Sequence, residues 1–169
     1  VVAGAWWDLL QRPMRMVVLG TGDDGVQAGL AGLAQREPDR FAVRFAYDEG
    51  LAHRIMAGAD LFLMPSRSEP CGLTQMYALR YGTVPIVRST GGLADTVEPW
   101  NPATGEGTGF RFDNADGTGL IWALDQALDA HRDRTGWETL MRNGMAKDFS
   151  WERSAREYVD VYGRAGEKV

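Results

Sequence analysis

Cysteine is almost absent. The single residue of that type, Cys71, rules out an internal disulfide and a cysteine-built metal cluster, and it favours a reducing compartment. Long hydrophobic runs are missing too: no apolar stretch approaches the ~20 residues that a membrane-spanning helix needs. Positive charge is scarce enough to leave a net charge of -5, so no broad basic field is available for a nucleic-acid backbone or an anionic membrane, although small anions can still bind locally. There is no internal repeat and no low-complexity tract. The opening Val1-Val2-Ala3-Gly4 has neither an initiator methionine nor the charged n-region of a secretory leader. What remains is a chain of 169 residues, 44% hydrophobic and 24% charged, the composition of one globular domain with a core of its own. The default setting is cytoplasmic.

Short apolar runs alternate with helix-length patterns. Met16-Val17-Val18-Leu19, Phe41-Ala42-Val43-Arg44-Phe45, Leu61-Phe62-Leu63-Met64 and Val84-Pro85-Ile86-Val87 read as strands, and residues 25–36, 49–59 and 73–81 read as the helices between them. This spacing predicts right-handed βαβ crossovers and a Rossmann-like parallel sheet with helices on both faces. Residues 5–10 read as a first helix with no strand before it, which suggests that a leading strand of the sheet is lacking. The Pro-, Gly- and Thr-rich residues 99–109 read as a surface loop, and Phe110-Arg111-Phe112 as one more short strand. Beyond residue 119 the pattern is helical, with Leu120, Ala123, Leu124, Ala127 and Leu128 on one face, a second helix at 139–146, and a third capped by Ser150 with Ala155, Tyr158, Val159 and Tyr162 on one side. We divide the chain into residues 1–147, the α/β unit, and residues 148–169, a C-terminal helical segment. The six tryptophans are expected as core and interface anchors.

In a parallel sheet of this kind ligands lie beyond the C-terminal strand ends, and the segments of interest fall there. Residues 65–75, Pro-Ser-Arg-Ser-Glu-Pro-Cys-Gly-Leu-Thr-Gln, place the Glu69 carboxylate on a constrained loop just before a helix. Pro70 biases Glu69 towards extended backbone, Gly72 lets the chain bend, and the amides after it suit a phosphate. Glu69 is either an acid facing a ligand or half of an ion pair with Arg67 or Arg80. Cys71 reads as a nucleophile or, with no Cys-His-Asn pattern in view, as a small buried residue shaping the loop. Gly20, Gly22 and Gly25 are spaced as G-x-G-x-x-G after a strand, which fits a dinucleotide; Asp23 and Asp24 would face its pyrophosphate, and the same residues equally form a tight turn capped by Asp23. Tyr47 is placed to stack on a base or to be an ordinary half-buried aromatic. His53 and Arg54 read as a helix-surface pair, and Gly91-Gly92 as a close approach to a ligand or a plain turn.

Taken together, Tyr47, His53-Arg54-Ile55-Met56, Ala59-Asp60, residues 65–75, Tyr81-Gly82-Thr83, Pro85 and Thr90-Gly91-Gly92-Leu93-Ala94-Asp95-Thr96-Val97 resemble bacterial glycogen synthases and plant starch synthases. The resemblance runs from about Met14 to the end and includes Asp148-Phe149-Ser150-Trp151. It implies the donor-binding, C-terminal half of a retaining GT-B glycosyltransferase that moves glucose from ADP-glucose to the 4-hydroxyl of an α-1,4-glucan, in the cytoplasm or, in a plant, the plastid. By that resemblance Tyr47 stacks on adenine. Gly72, Leu73 and Thr74 hold the distal phosphate, Gly20 and Gly22 line the nucleotide, and Glu69, Cys71 and Gly72 face the glucose. Glu69 is the catalytic residue, either orienting and stabilising charge, the preferred role, or attacking as a transient nucleophile, while the departing ADP helps to take the acceptor proton. No cofactor or metal is implied beyond the substrate. Tyr77 stands where related GT-B transferases carry a second glutamate, as it does in glycogen synthases, and Ser68 stands where the family often has an aromatic. The family's Lys-rich glycine loop and its acceptor domain have no counterpart in these residues, so the isolated chain is expected to be inactive. Two rivals stay open: another retaining GT-B donor domain and a non-catalytic nucleotide-binding module.

Overall fold

A computed structural model describes residues 5–166; the opening Val1-Val2-Ala3-Gly4, read above for a leader, lies outside the described residues. Helices and parallel strands alternate as α1 (Trp6–Leu10), β1 (Met16–Leu19), α2 (Asp24–Arg36), β2 (Phe41–Arg44), α3 (Glu49–Gly58), β3 (Leu61–Met64), α4 (Thr74–Tyr81), β4 (Val84–Arg88), α5 (Gly91–Thr96), β5 (Phe110–Phe112), α6 (Gly117–Arg132), α7 (Arg134–Met145) and α8 (Trp151–Gly166). All three strand pairings are parallel among the described residues. They form two ladders rather than the single sheet expected: β1 with β2, and β3-β4-β5 with β4 in the middle. Among the described residues β1 pairs only with β2 and β3 only with β4, so each keeps one unpaired edge, and Val17 of β1 is 54% exposed.

The core explains the order. Val84 to Val87 are buried without a break, as a strand covered on both faces must be, and only Arg88 at the end of β4 is partly exposed. Leu120, Ala123, Leu124 and Ala127 are buried at spacings of three and four, and this stripe seats α6 against Ile86, Phe110 and Phe112. Leu30 and Leu33 of α2 close over Phe41 in a smaller cluster. Helix α1 joins the two: Leu9 packs in the larger cluster, while Trp6 touches both and meets Phe41 edge to face. Arg12, just after α1, makes a two-pronged pair with Asp125 of α6 through Nε at 2.9 Å and Nη2 at 2.8 Å. That contact holds the Asp125 carboxyl below its ordinary pKa and raises the Arg12 guanidinium, in each case mainly through the side-chain hydrogen bond.

Three expectations shift. Helix α7 begins at Arg134 rather than near 139, because Trp137 and Leu140 bury against the core and draw the Gly136-containing first turns into the helix. Gly91-Gly92, read as a close approach to a ligand or a plain turn, open the short helix α5, whose Leu93 and the following Val97 are fully buried with Val87. The tryptophans divide: Trp137 is core, Trp6 and Trp100 pack against it, and Trp7, Trp122 and Trp151 are exposed. The expected apolar face of α8 exists, but Tyr158, Val159 and Tyr162 on it stay exposed.

Candidate functional site

Capping sets one place apart at the C-terminal strand ends. Among the described residues, α2, α3 and α6 each follow a strand and each begin under an aspartate: Asp23 accepts from the Val26 N–H, Asp48 from Leu51 and Asp116 from Gly119. The two helices after β3 and β4 have no side-chain cap. The start of α4 therefore keeps its amides and its positive dipole end for a ligand. Leu73 is its N-cap residue, one position later than the sequence pattern placed it in the helix.

The loop before α4 is built against α5. The Gly92 N–H donates to the Glu69 carbonyl at 3.1 Å. A Cβ on Gly91 would overlap the Glu69 carbonyl oxygen, and one on Gly92 the Cys71 carbonyl oxygen, so backbone lies directly on backbone there. This is the close approach for which Gly91-Gly92 had been read, made to a neighbouring loop. Gly72 has φ +71, the left-handed region that glycine enters without strain. From beneath, Arg88 at the end of β4 donates through Nε to the Ser66 carbonyl at 2.9 Å and through Nη2 to that of Arg67.

Glu69 is half-buried, and among the described residues its side chain has no hydrogen bond or ion pair. The alternative of a pair with Arg67 or Arg80 does not form; Arg80 instead donates to the Met145 carbonyl at 3.4 Å. A half-buried carboxylate without a protein partner beside a free helix N-terminus is poised for a polar ligand. Cys71 is exposed, which corrects the reading of it as a buried loop-shaping residue. Its carbonyl accepts from Gln75 Nε2 at 3.2 Å, and its thiol makes only a weak 3.7 Å contact to the Gly72 carbonyl. The Thr74 hydroxyl is exposed and rests 3.4 Å from the Met64 sulfur, a weak acceptor that a phosphate oxygen would readily replace.

Tyr47 is 93% exposed on the loop between β2 and α3, so the half-buried alternative is also corrected. Helix α3 starts two residues later and lies beside α4: His53 stacks on Tyr77 with ring centres 5.4 Å apart, and its Nδ1 is 3.2 Å from the Tyr81 hydroxyl. His53 is thus an inter-helix contact rather than a surface pair with Arg54. Because the fifth residue of α3 meets the fourth of α4, the two helices start at the same level, and Tyr47 stands at the end where α4 presents its amides.

Gly20 and Gly22 lie on the loop after β1 at the strand-end edge. The Gly22 carbonyl accepts from Gln27 Nε2 at 2.8 Å, and Asp23 takes the Val26 amide. The turn is therefore the Asp-capped one, and the helix terminus a dinucleotide would use there is filled. Among the described residues no group of three or more His, Cys, Asp or Glu could hold a metal. Gln75, Arg88 and Thr96, all of which hold this loop, carried no assigned role; Gln75 and Thr96 lay inside segments that the resemblance singled out, and nothing local marked Arg88.

Residues 7–142 match the family described as Glycosyl transferases group 1. The chain is 57% identical to a glycogen synthase of Koribacter versatilis over 88% of its own length and 31% of that protein's. It is 56% identical to a glycogen synthase of Anaeromyxobacter sp. (strain K), over 96% of the chain and 34% of the relative. Among solved structures, the catalytic domain of starch synthase IV from Arabidopsis thaliana, bound to ADP and acarbose, aligns with a TM-score of 0.82 and 38% identity, over 96% of this chain and 34% of that one. The chain thus spans about a third of the length of the curated relatives it matches.

Proposed function

The chain belongs to the group 1 glycosyl transferases, and on that premise we propose that its strand-end loops bind ADP-glucose as the donor half of a glycogen or starch synthase. The observation that carries the reading is the uncapped N-terminus of α4 next to the unpaired, half-buried Glu69 carboxylate. The glycogen synthases among its relatives support the reaction class, and the ADP in the Arabidopsis structure supports the nucleotide.

In this reading the Gly72, Leu73 and Thr74 amides and the Thr74 hydroxyl hold the distal phosphate, Tyr47 stacks on adenine, and Gly20 and Gly22 line the nucleotide side. Glu69, Cys71 and Gly72 face the glucose. As the bond from the anomeric carbon to the phosphate oxygen lengthens, negative charge grows on the phosphate and positive charge on the sugar ring. The helix N-terminus stabilises the first and the Glu69 carboxylate the second, so both contacts strengthen towards the transition state. Glucose then passes, with retention, to the 4-hydroxyl of an α-1,4-glucan positioned by the remainder of the full-length enzyme.

The test is Glu69→Ala in the full-length enzyme. Turnover with ADP-glucose and a glucan primer is expected to fall by about 10²- to 10³-fold, with ADP affinity by calorimetry nearly unchanged. Near-normal turnover in that variant sinks the role given to Glu69. Running UDP-glucose beside ADP-glucose checks the nucleotide: a preference for the uridine donor overturns the ADP assignment.

A further inference from the structure

Gln75, the second residue of α4, has a fully buried side chain to which the chemistry above gives no part. Its Nε2 donates to the carbonyl oxygens of Cys71 at 3.2 Å and Gly72 at 2.8 Å, and to Thr96 Oγ1 at 3.1 Å. The Thr96 hydroxyl uses its own hydrogen on the Gly92 carbonyl at 2.6 Å, so towards Gln75 it can only accept. Three acceptors around one nitrogen fix the orientation of the amide. Among the described residues its Oε1 is left buried without a partner, lying where any Cβ at position 72 would have to go. An orphaned buried oxygen costs stability, and an apolar side chain of the same size would fill this space without that cost.

The polar side chain has a geometric consequence. A trans peptide points its C=O and N–H in opposite directions. Holding the Cys71 and Gly72 carbonyls inward on Gln75 therefore turns the Gly72 and Leu73 N–H groups outward, away from α5. Through Thr96 the same amide ties this loop to α5, whose Gly92 N–H in turn holds the Glu69 carbonyl.

We propose that Gln75, acting with Thr96, is the positioning residue of the donor loop: it aims the Gly72 and Leu73 amides at the donor phosphate and sets them in register with Glu69. The inference rests on the reading of residues 69–74 as the donor site. It is tested in the full-length enzyme with Gln75→Met and Thr96→Val, which remove the hydrogen bonds at nearly constant volume, and with Thr96→Ser, which restores the hydroxyl. Gln75→Met and Thr96→Val are each expected to lower kcat/KM for ADP-glucose by about tenfold or more, with weaker ADP binding by calorimetry. The melting temperature of Gln75→Met should change little, because relief of the orphaned oxygen offsets the lost hydrogen bonds of Nε2, and Thr96→Ser should keep wild-type kinetics. The double variant should lose little more than the worse single one, because both break one network.

Less than a tenfold loss in Gln75→Met overturns the proposal, as does a loss that tracks a fallen melting temperature. If Gln75→Met does not fold, the two Thr96 variants decide: equal activity of the valine and serine forms overturns it. Glu69→Ala measured alongside separates the two ideas. Full turnover there removes the donor-site reading itself, whereas collapse there with a wild-type Gln75→Met removes only the positioning role.

Discussion

At the scale of single residues, the site depends on atoms that are missing as much as on those present. Gly92 lets α5 lie against the Cys71 carbonyl, and the obstacle a Cβ would meet is backbone, which cannot rotate aside. Gly92→Ala is therefore expected to displace residues 69–72, lowering stability by about 1–3 kcal/mol and ADP-glucose turnover with it; wild-type kinetics would show that the loop tolerates the shift. Gly29 of α2 is the opposite case, with nothing within 4 Å of a built Cβ. Gly29→Ala should raise stability by about 0.5–1 kcal/mol in urea unfolding and leave activity alone. Of the site, Glu69, the bend at Gly72 and the helix start after it could be read along the chain, since Pro70 and Gly72 fix local backbone wherever they occur. Gln75, Thr96 and Arg88 could not. Arg88 acts on carbonyls more than twenty residues back in the chain, and the bond from Gln75 to Thr96 spans a similar separation; a glutamine in a helix carries no local mark of such a partner.

At the scale of elements, the strands and most helices follow from periodicity and turn residues. The buried stripe of Leu120, Ala123, Leu124 and Ala127 is the plainest instance, since spacings of three and four leave one face for the core. Leu124→Ala removes a fully buried side chain from the centre of that stripe and is expected to cost about 2–5 kcal/mol, measurable as a lower urea midpoint at unchanged slope. A cost below about 1 kcal/mol would mean that the core collapses around the gap. Helix α5 escaped notice because two glycines at its start weaken helix propensity; burial of Leu93 and the seat on residues 69–71 decide it instead. The early start of α7 has the same origin, with Trp137 and Leu140 outweighing Gly136.

At the scale of the whole molecule, α1 and its Arg12–Asp125 pair join the ladder of β1 and β2 to the ladder of β3, β4 and β5. The folded carboxyl of Asp125 lies below its ordinary value, so the pair's contribution is fully present above that value and fades as pH falls through the lowered one. The raised Arg12 loses its share only in strong alkali. Asp125→Asn is expected to lower stability at pH 7 by less than about 1 kcal/mol, since the carboxylate is partly exposed and screened. The gap to the native chain should close as pH falls through the lowered Asp125 value; a difference that persists in stronger acid would show that shape, not charge, is what the substitution removes. The amino-acid sequence by itself determined the alternation of strands and helices, the parallel sense of the pairings and the position of the acid before a helix, because these depend on neighbours within a few residues. Tertiary structure alone decided the division into two sheets and the bond by which Gln75 ties the loop before α4 to Thr96 of α5. Those depend on which segments meet across twenty or more residues, and that is a property of packing.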